Sequence, residues 1–203
     1  MSADAQHIDG GVDEGRRHFL VVATTTMGLA GVAATAVPFL ASWQPSARAK
    51  AAGAPVEADI SKLERGAMIK VEWRGQAVFI VHRTEEMLKT LQPLEGQLRD
   101  PKSEESEQPE YAKNEARSLK PEILVMIGVC THLGCAPIAK FQPGDAELGA
   151  DWQGGFHCPC HGSRFDLSGR VMKGWPALVN LRVPPYQFLS DNKLLIGADS
   201  GAA

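Results

Sequence analysis

The sequence predicts an all-β head, an antiparallel sandwich, attached to one N-terminal transmembrane helix. Three observations lead there. Residues 67–74 and 76–83 alternate apolar and polar side chains around Arg74-Gly75, the pattern of a β-hairpin. Residues 19–41 form a run of 23 without a charge. All four cysteines lie in two short boxes, Cys130-Thr131-His132-Leu133-Gly134-Cys135 and Cys158-Pro159-Cys160-His161-Gly162-Ser163, which a sandwich would carry on loops at one end.

The chain has 203 residues, enough for one domain with an attached segment. A net charge of −3 gives no reason to expect a nucleic-acid partner.

Residues 1–15 are polar and acidic and read as a disordered tail. Arg16-Arg17-His18-Phe19-Leu20 then places paired arginines before an apolar run, the form of a twin-arginine export signal. As a helix, the uncharged run spans ~34 Å, enough for a hydrocarbon core of ~30 Å. Thr24, Thr25 and Thr26 are tolerable in lipid if their hydroxyls bond to the preceding turn. Pro38 is expected to kink or fray the end. Ala47-Arg48-Ala49 resembles a cleavage site, but the run exceeds a signal core of about 7–15 residues. Residues 16–41 are therefore read as an export signal retained as an anchor. Basic residues flank the run on both sides, so orientation rests on the export signal, which leaves residues 1–15 in the cytoplasm and the C-terminal domain outside. Residues 42–55, rich in Ala, Ser, Pro and Gly, serve as a spacer or a hinge.

Residues 56–203 form the head. Trp73 is read as core or rim, and His82 as a surface strand residue. Residues 84–122 carry ten acidic and six basic side chains. They read as a solvated insertion, with a helix capped by Thr84 and ended by Pro93. Residues 122–129 are a buried strand delivering Cys130. Residues 136–155 are a glycine-rich loop around short strands. Residues 178–183, 186–190 and 193–196 are read as closing strands.

Each box supplies one cysteine-plus-histidine pair, Cys130/His132 and Cys158/His161. Two thiolates and two imidazoles suit zinc or an iron–sulfur centre. Zinc modules usually pair cysteine with cysteine, and here Cys135 and Cys160 would be left over.

The boxes closely resemble those of the Rieske iron–sulfur proteins, in which two Cys hold one iron of a [2Fe–2S] cluster and two His the other. The resemblance implies a Rieske sandwich whose cluster-binding subdomain covers about residues 129–178. It makes Cys130 and Cys158 the ligands of one iron, His132 and His161 those of the second. The extra cysteines single out the cytochrome bc1 type, where they form a disulfide, so Cys135–Cys160 is the implied bridge. A persistent bridge fits an oxidising compartment such as the periplasm.

The resemblance further implies a single-pass subunit of the bacterial inner membrane, in a dimeric complex with cytochrome b and cytochrome c1. His161 would take hydrogen from ubiquinol, Leu133 would form the apolar collar of the quinol pocket, and residues 42–55 would let the head shuttle. Ser163 matches a serine that donates to a bridging sulfide. Two departures stand out: Phe165 where many relatives have a tyrosine, and Trp175 in the loop that covers the cluster. Imidazole is neutral where thiolate is negative, which raises the potential to about −150 to +300 mV, against about −400 mV in plant-type ferredoxins. The alternatives are a Rieske carrier of another exported oxidoreductase, such as arsenite oxidase, and a redox-silent zinc module.

Overall fold

The computed structural model describes residues 13–47, 49 and 53–198. It divides into two units, residues 1–49 and 50–203. Residues 1–12 of the expected tail, and residues 48 and 50–52 of the expected spacer, lie outside the described residues.

The first unit is a helix, α1 (Glu14–Ser42), long and apolar enough to cross a membrane. It starts two residues before the twin arginines, inside the segment read as tail, because Asp13 caps it. The Asp13 carboxylate accepts from the Arg16 N–H at 3.1 Å, and Glu14 adds a negative charge in the first turn. The threonine hydroxyls bond back as expected. Thr24, Thr25 and Thr26 donate to the carbonyls of Leu20, Val21 and Val22 at 2.7–2.8 Å. The helix runs through Pro38 to a C-cap at Trp43. One missing N–H does not end it, because the turns on either side remain bonded.

Among its described residues the second unit holds nine strands in three antiparallel sheets. The first sheet, in the order β1-β9-β8, joins β1 (Val56–Asp59) to β8 (Tyr186–Ser190) and β9 (Lys193–Ile196). The second joins β2 (Met68–Trp73), β3 (Gln76–His82) and β4 (Ile123–Ile127) in chain order. The third joins β5 (Ile138–Lys140), β6 (Gly155–His157) and β7 (Arg164–Phe165), also in chain order. The β2–β3 hairpin closes Trp73 against Gln76, with Arg74 at φ 52° and Gly75 at φ 71°. Two successive left-handed residues make the turn whose twist matches that of the strands.

Strands β3 and β4 of the middle sheet are covered on both faces. Val78 and Ile80 of β3, with Ile123, Val125 and Ile127 of β4, enter one core with Ala58, Leu194 and Ile196. The intervening Phe79, Val81, Leu124 and Met126 enter a second core with Phe156, Phe165, Cys130 and Cys158. This explains the near-continuous apolar run of β4, since a strand covered on both faces has no polar side. The return strand β3 is correspondingly less amphipathic than its alternation suggested.

Trp73 is buried, with the Arg74 guanidinium 4.4 Å from its ring centre. His82 is half-buried, and its Nδ1 lies 2.8 Å from the Leu63 carbonyl. It ties down a loop and does not sit free on the surface. Thr84 caps α2 (Glu85–Lys89), accepting from the Met87 N–H at 3.2 Å, but the helix stops before Pro93 at Thr90.

Residues 84–122 are not a solvated insertion. Leu91, Leu94, Leu98, Asp100, Ser103, Ala112, Arg117 and Ser118 are buried. Arg117 donates to the Leu181 carbonyl at 2.7 Å. The Asn180 amide donates to the Asp100 carbonyl and the Ser103 hydroxyl, both at 2.9 Å. The segment straps the end of the chain to the cluster-box sheet. Residues 178–183 are irregular for the same reason. Leu181 N–H donates to the Gly169 carbonyl at 2.8 Å and Val183 N–H to the Glu107 carbonyl at 3.2 Å, so their donors go to loops and not to a ladder.

Candidate metal centre

The two boxes fold as near copies. In the first, Cys130 N–H donates to the Cys135 carbonyl at 2.7 Å and Gly134 N–H to the Cys130 carbonyl at 2.9 Å. In the second, Cys158 N–H donates to the Ser163 carbonyl at 2.8 Å and Gly162 N–H to the Cys158 carbonyl at 2.9 Å. Each turn needs a left-handed residue in fifth place, filled by Gly134 (φ 85°) and Gly162 (φ 80°). β4 leads into the first turn, and β6 and β7 flank the second.

The turns meet. A disulfide joins Cys135 to Cys160. The Cys158 sulfur lies within 4.8 Å of both bridge sulfurs. Those three do not make a ligand set, because two are spent in the bridge. Cys130 and Cys158 remain free and buried, within hydrogen-bond reach of each other. The His132 and His161 rings stand 4.8 Å apart, edge to face. His161 is exposed and His132 half-buried. Leu133 stands 70% exposed at the tip of the first turn, beside this end of the head.

The donors fit a cluster. Burial pushes the Cys130 thiol up and the adjacent Cys158 thiol adds to this, while the His132 N–H and Ser163 hydroxyl favour its thiolate. A bound cation favours the thiolate form of such a cysteine, and the second free cysteine, Cys158, is buried beside it. His132 Nδ1 is buried without a hydrogen-bond partner among the described residues, as a ligand nitrogen awaiting its metal would be.

Supporting contacts that spacing could not reveal hold the turns. Thr131 donates to the Val179 carbonyl at 2.7 Å, and Ala177 N–H donates to the Ser163 hydroxyl oxygen at 3.0 Å, leaving the Ser163 proton free for the centre. Trp175, the unusual loop residue, is half-buried. Its ring would lie 3.2 Å from a Cβ at Gly162, so it covers the second turn.

Residues 54–186 match the Rieske [2Fe-2S] domain family, and residues 7–46 match the family described as "Ubiquitinol-cytochrome C reductase Fe-S subunit TAT signal". A ubiquinol-cytochrome c reductase iron-sulfur subunit of Allochromatium vinosum is 56% identical over 193 residues, covering 95% of this chain and 93% of the relative. That of Blastochloris viridis is 46% identical over 184 residues, covering 90% and 93%. That of Rhodospirillum rubrum is 41% identical over 198 residues, covering 96% and 100%.

The chain belongs to the Rieske iron–sulfur subunit family. The Rieske cofactor is a [2Fe–2S] cluster, which disposes of the zinc alternative. The Rieske domain match takes in both boxes and the strap, and the export-signal match takes in the twin arginines and all of α1.

Phe165 is fully buried in the core that contains Cys130 and Cys158. It carries no hydroxyl to donate toward their sulfurs, and such bonds raise the potential of iron–sulfur centres. Phe165→Tyr is therefore expected to shift the midpoint upward in a redox titration. A flat result would remove this residue from the list of potential-setting groups.

Proposed function

We propose that this chain is the Rieske subunit of a bacterial ubiquinol–cytochrome c reductase, passing one electron from ubiquinol at cytochrome b to cytochrome c1. The observation that carries the reading is the exposed His161 imidazole, set beside a buried thiol pair on a bridged double turn. Cys130, Cys158, His132 and His161 would hold the cluster. When bound, the cluster supplies a one-electron acceptor at a potential raised by its imidazole ligands.

The chain's own residues do the rest. His161 offers a ring edge to solvent, where a quinol hydroxyl can hydrogen-bond and leave its proton on the nitrogen not used for metal. Exposed Leu133 and Leu178 give this end an apolar rim that seats against a hydrophobic quinol pocket. Cys135–Cys160 keeps the two turns from separating while the head changes partners. The anchor is α1, single-pass in the inner membrane, residues 42–55 are the tether, and the head is periplasmic, where net proton release follows. The chain acts as an electron carrier, and the oxidoreductase activity belongs to the dimeric complex.

Mild detergent extraction of the native protein tests this. Non-heme iron and acid-labile sulfide should be present in equal amounts, with hemes b and c co-purifying. Iron and sulfide without those hemes would overturn the quinol–cytochrome c reading in favour of a carrier for another exported oxidoreductase.

A further inference from the structure

Arg164 follows Ser163, and its strand position is paired with His157, the neighbour of Cys158. Its backbone therefore flanks the second turn, and the Trp175 ring that its guanidinium stacks on lies against Gly162 of that turn. The guanidinium carbon lies 4.4 Å from the Trp175 ring centre and 5.9 Å from that of Trp152. Trp152 is itself buried and fixed, its indole N–H donating to the Lys140 carbonyl at 2.9 Å. Arg164 Nε is buried with no hydrogen-bond partner among the described residues. Asp151 lines the same cleft of about 400 Å³, with Lys173, Gln97 and Met172, yet no carboxylate pairs with Arg164 among the described residues.

We propose that Arg164, clamped between Trp175 and Trp152, is a fixed positive charge that raises the reduction potential of the iron–sulfur centre, with Trp175 as its positioning residue. This rests on the cluster occupying the double turn. Reduction adds a negative charge there. A guanidinium is charged at every working pH. With no carboxylate paired with it among the described residues, and with two aromatic rings beside it, it favours the reduced form over the oxidised one. The arrangement offsets the hydroxyl that Phe165 lacks, and it gives Trp175 a role beyond filling a turn.

The test is an EPR-monitored redox titration of the detergent-extracted complex. For Arg164→Gln, the reduced-to-oxidised ratio at a fixed applied potential should fall roughly threefold or more, the scale of one charge acting through an effective dielectric of about 20. Arg164→Lys, which keeps the charge, should recover most of the loss. Trp175→Leu keeps the arginine but frees it into solvent, so the ratio should fall and become salt-dependent, while Trp175→Phe should restore it. Should Arg164→Gln not assemble a cluster, the Trp175 pair decides. A normal EPR signal with an unmoved potential in Trp175→Leu, or in Arg164→Gln, overturns the proposal. Absence of any [2Fe–2S] signal in the unmodified protein overturns the cluster assignment itself.

Discussion

Asp166→Asn should destabilise the head by about 3–5 kcal/mol, the cost of stranding a buried charge by removing its partner. Asp166 and Arg170 are both fully buried, and Arg170 Nε donates to the carboxylate at 2.8 Å. The other carboxylate oxygen accepts from the N–H groups of Ser168 and Arg170 at 2.9 and 2.8 Å. An asparagine can keep one oxygen there but must turn an amide N–H toward the guanidinium. The wider network makes this worse. Arg83 and Arg117 are buried in the same region; desolvation pulls both down to about 10, against the opposing pull of Asp166, so they remain charged at neutral pH. Arg83 and Arg117 would then lose the carboxylate that acts on both of them. Surface pairs such as Lys120–Asp191, with the aspartate nearly all exposed, matter far less, at about 0–1 kcal/mol. Denaturant unfolding of the full chain in detergent should show a lower midpoint at unchanged slope. A loss under about 1 kcal/mol would mean the network is not stabilised as a paired unit.

Replacing both Cys135 and Cys160 with serine should cost about 3–4 kcal/mol and make the cluster labile. The bridge joins positions 25 apart, and closing a loop of that size restricts the unfolded chain by about 3.5 kcal/mol. The local effect reaches further. Within each turn two backbone hydrogen bonds fix the shape, and apart from the cluster itself the disulfide is the one covalent link between the turns. Visible absorbance should therefore bleach markedly faster in the double variant under air or chelator. Equal bleaching rates would show that Thr131, Ser163 and the covering loop suffice to keep the turns together.

The two boxes were legible because each ligand pair lies within a few residues, so local spacing carries the chemistry. The β2–β3 hairpin was legible through Arg74-Gly75, and β4 through its apolar run. Residues 84–122 were misread because their acidic count describes what faces water, while the few buried members decide their role. Asp100 meets Asn180 across 80 positions and Arg117 meets Leu181 across 64, and no local pattern announces such partners. Residues 178–183 look like a strand by composition, yet their donors are taken by Gly169 and Glu107. The clamp on Arg164 was likewise invisible, since Trp152, Arg164 and Trp175 are separated by intervals with no periodic meaning.

The middle sheet acts as a party wall: strands β3 and β4 lend one face to each of two cores. Neither half of the head can loosen without exposing the back of the other. The lobe that carries the two cysteine boxes thus shares its foundation with its neighbour, and freeing either one costs apolar burial in both.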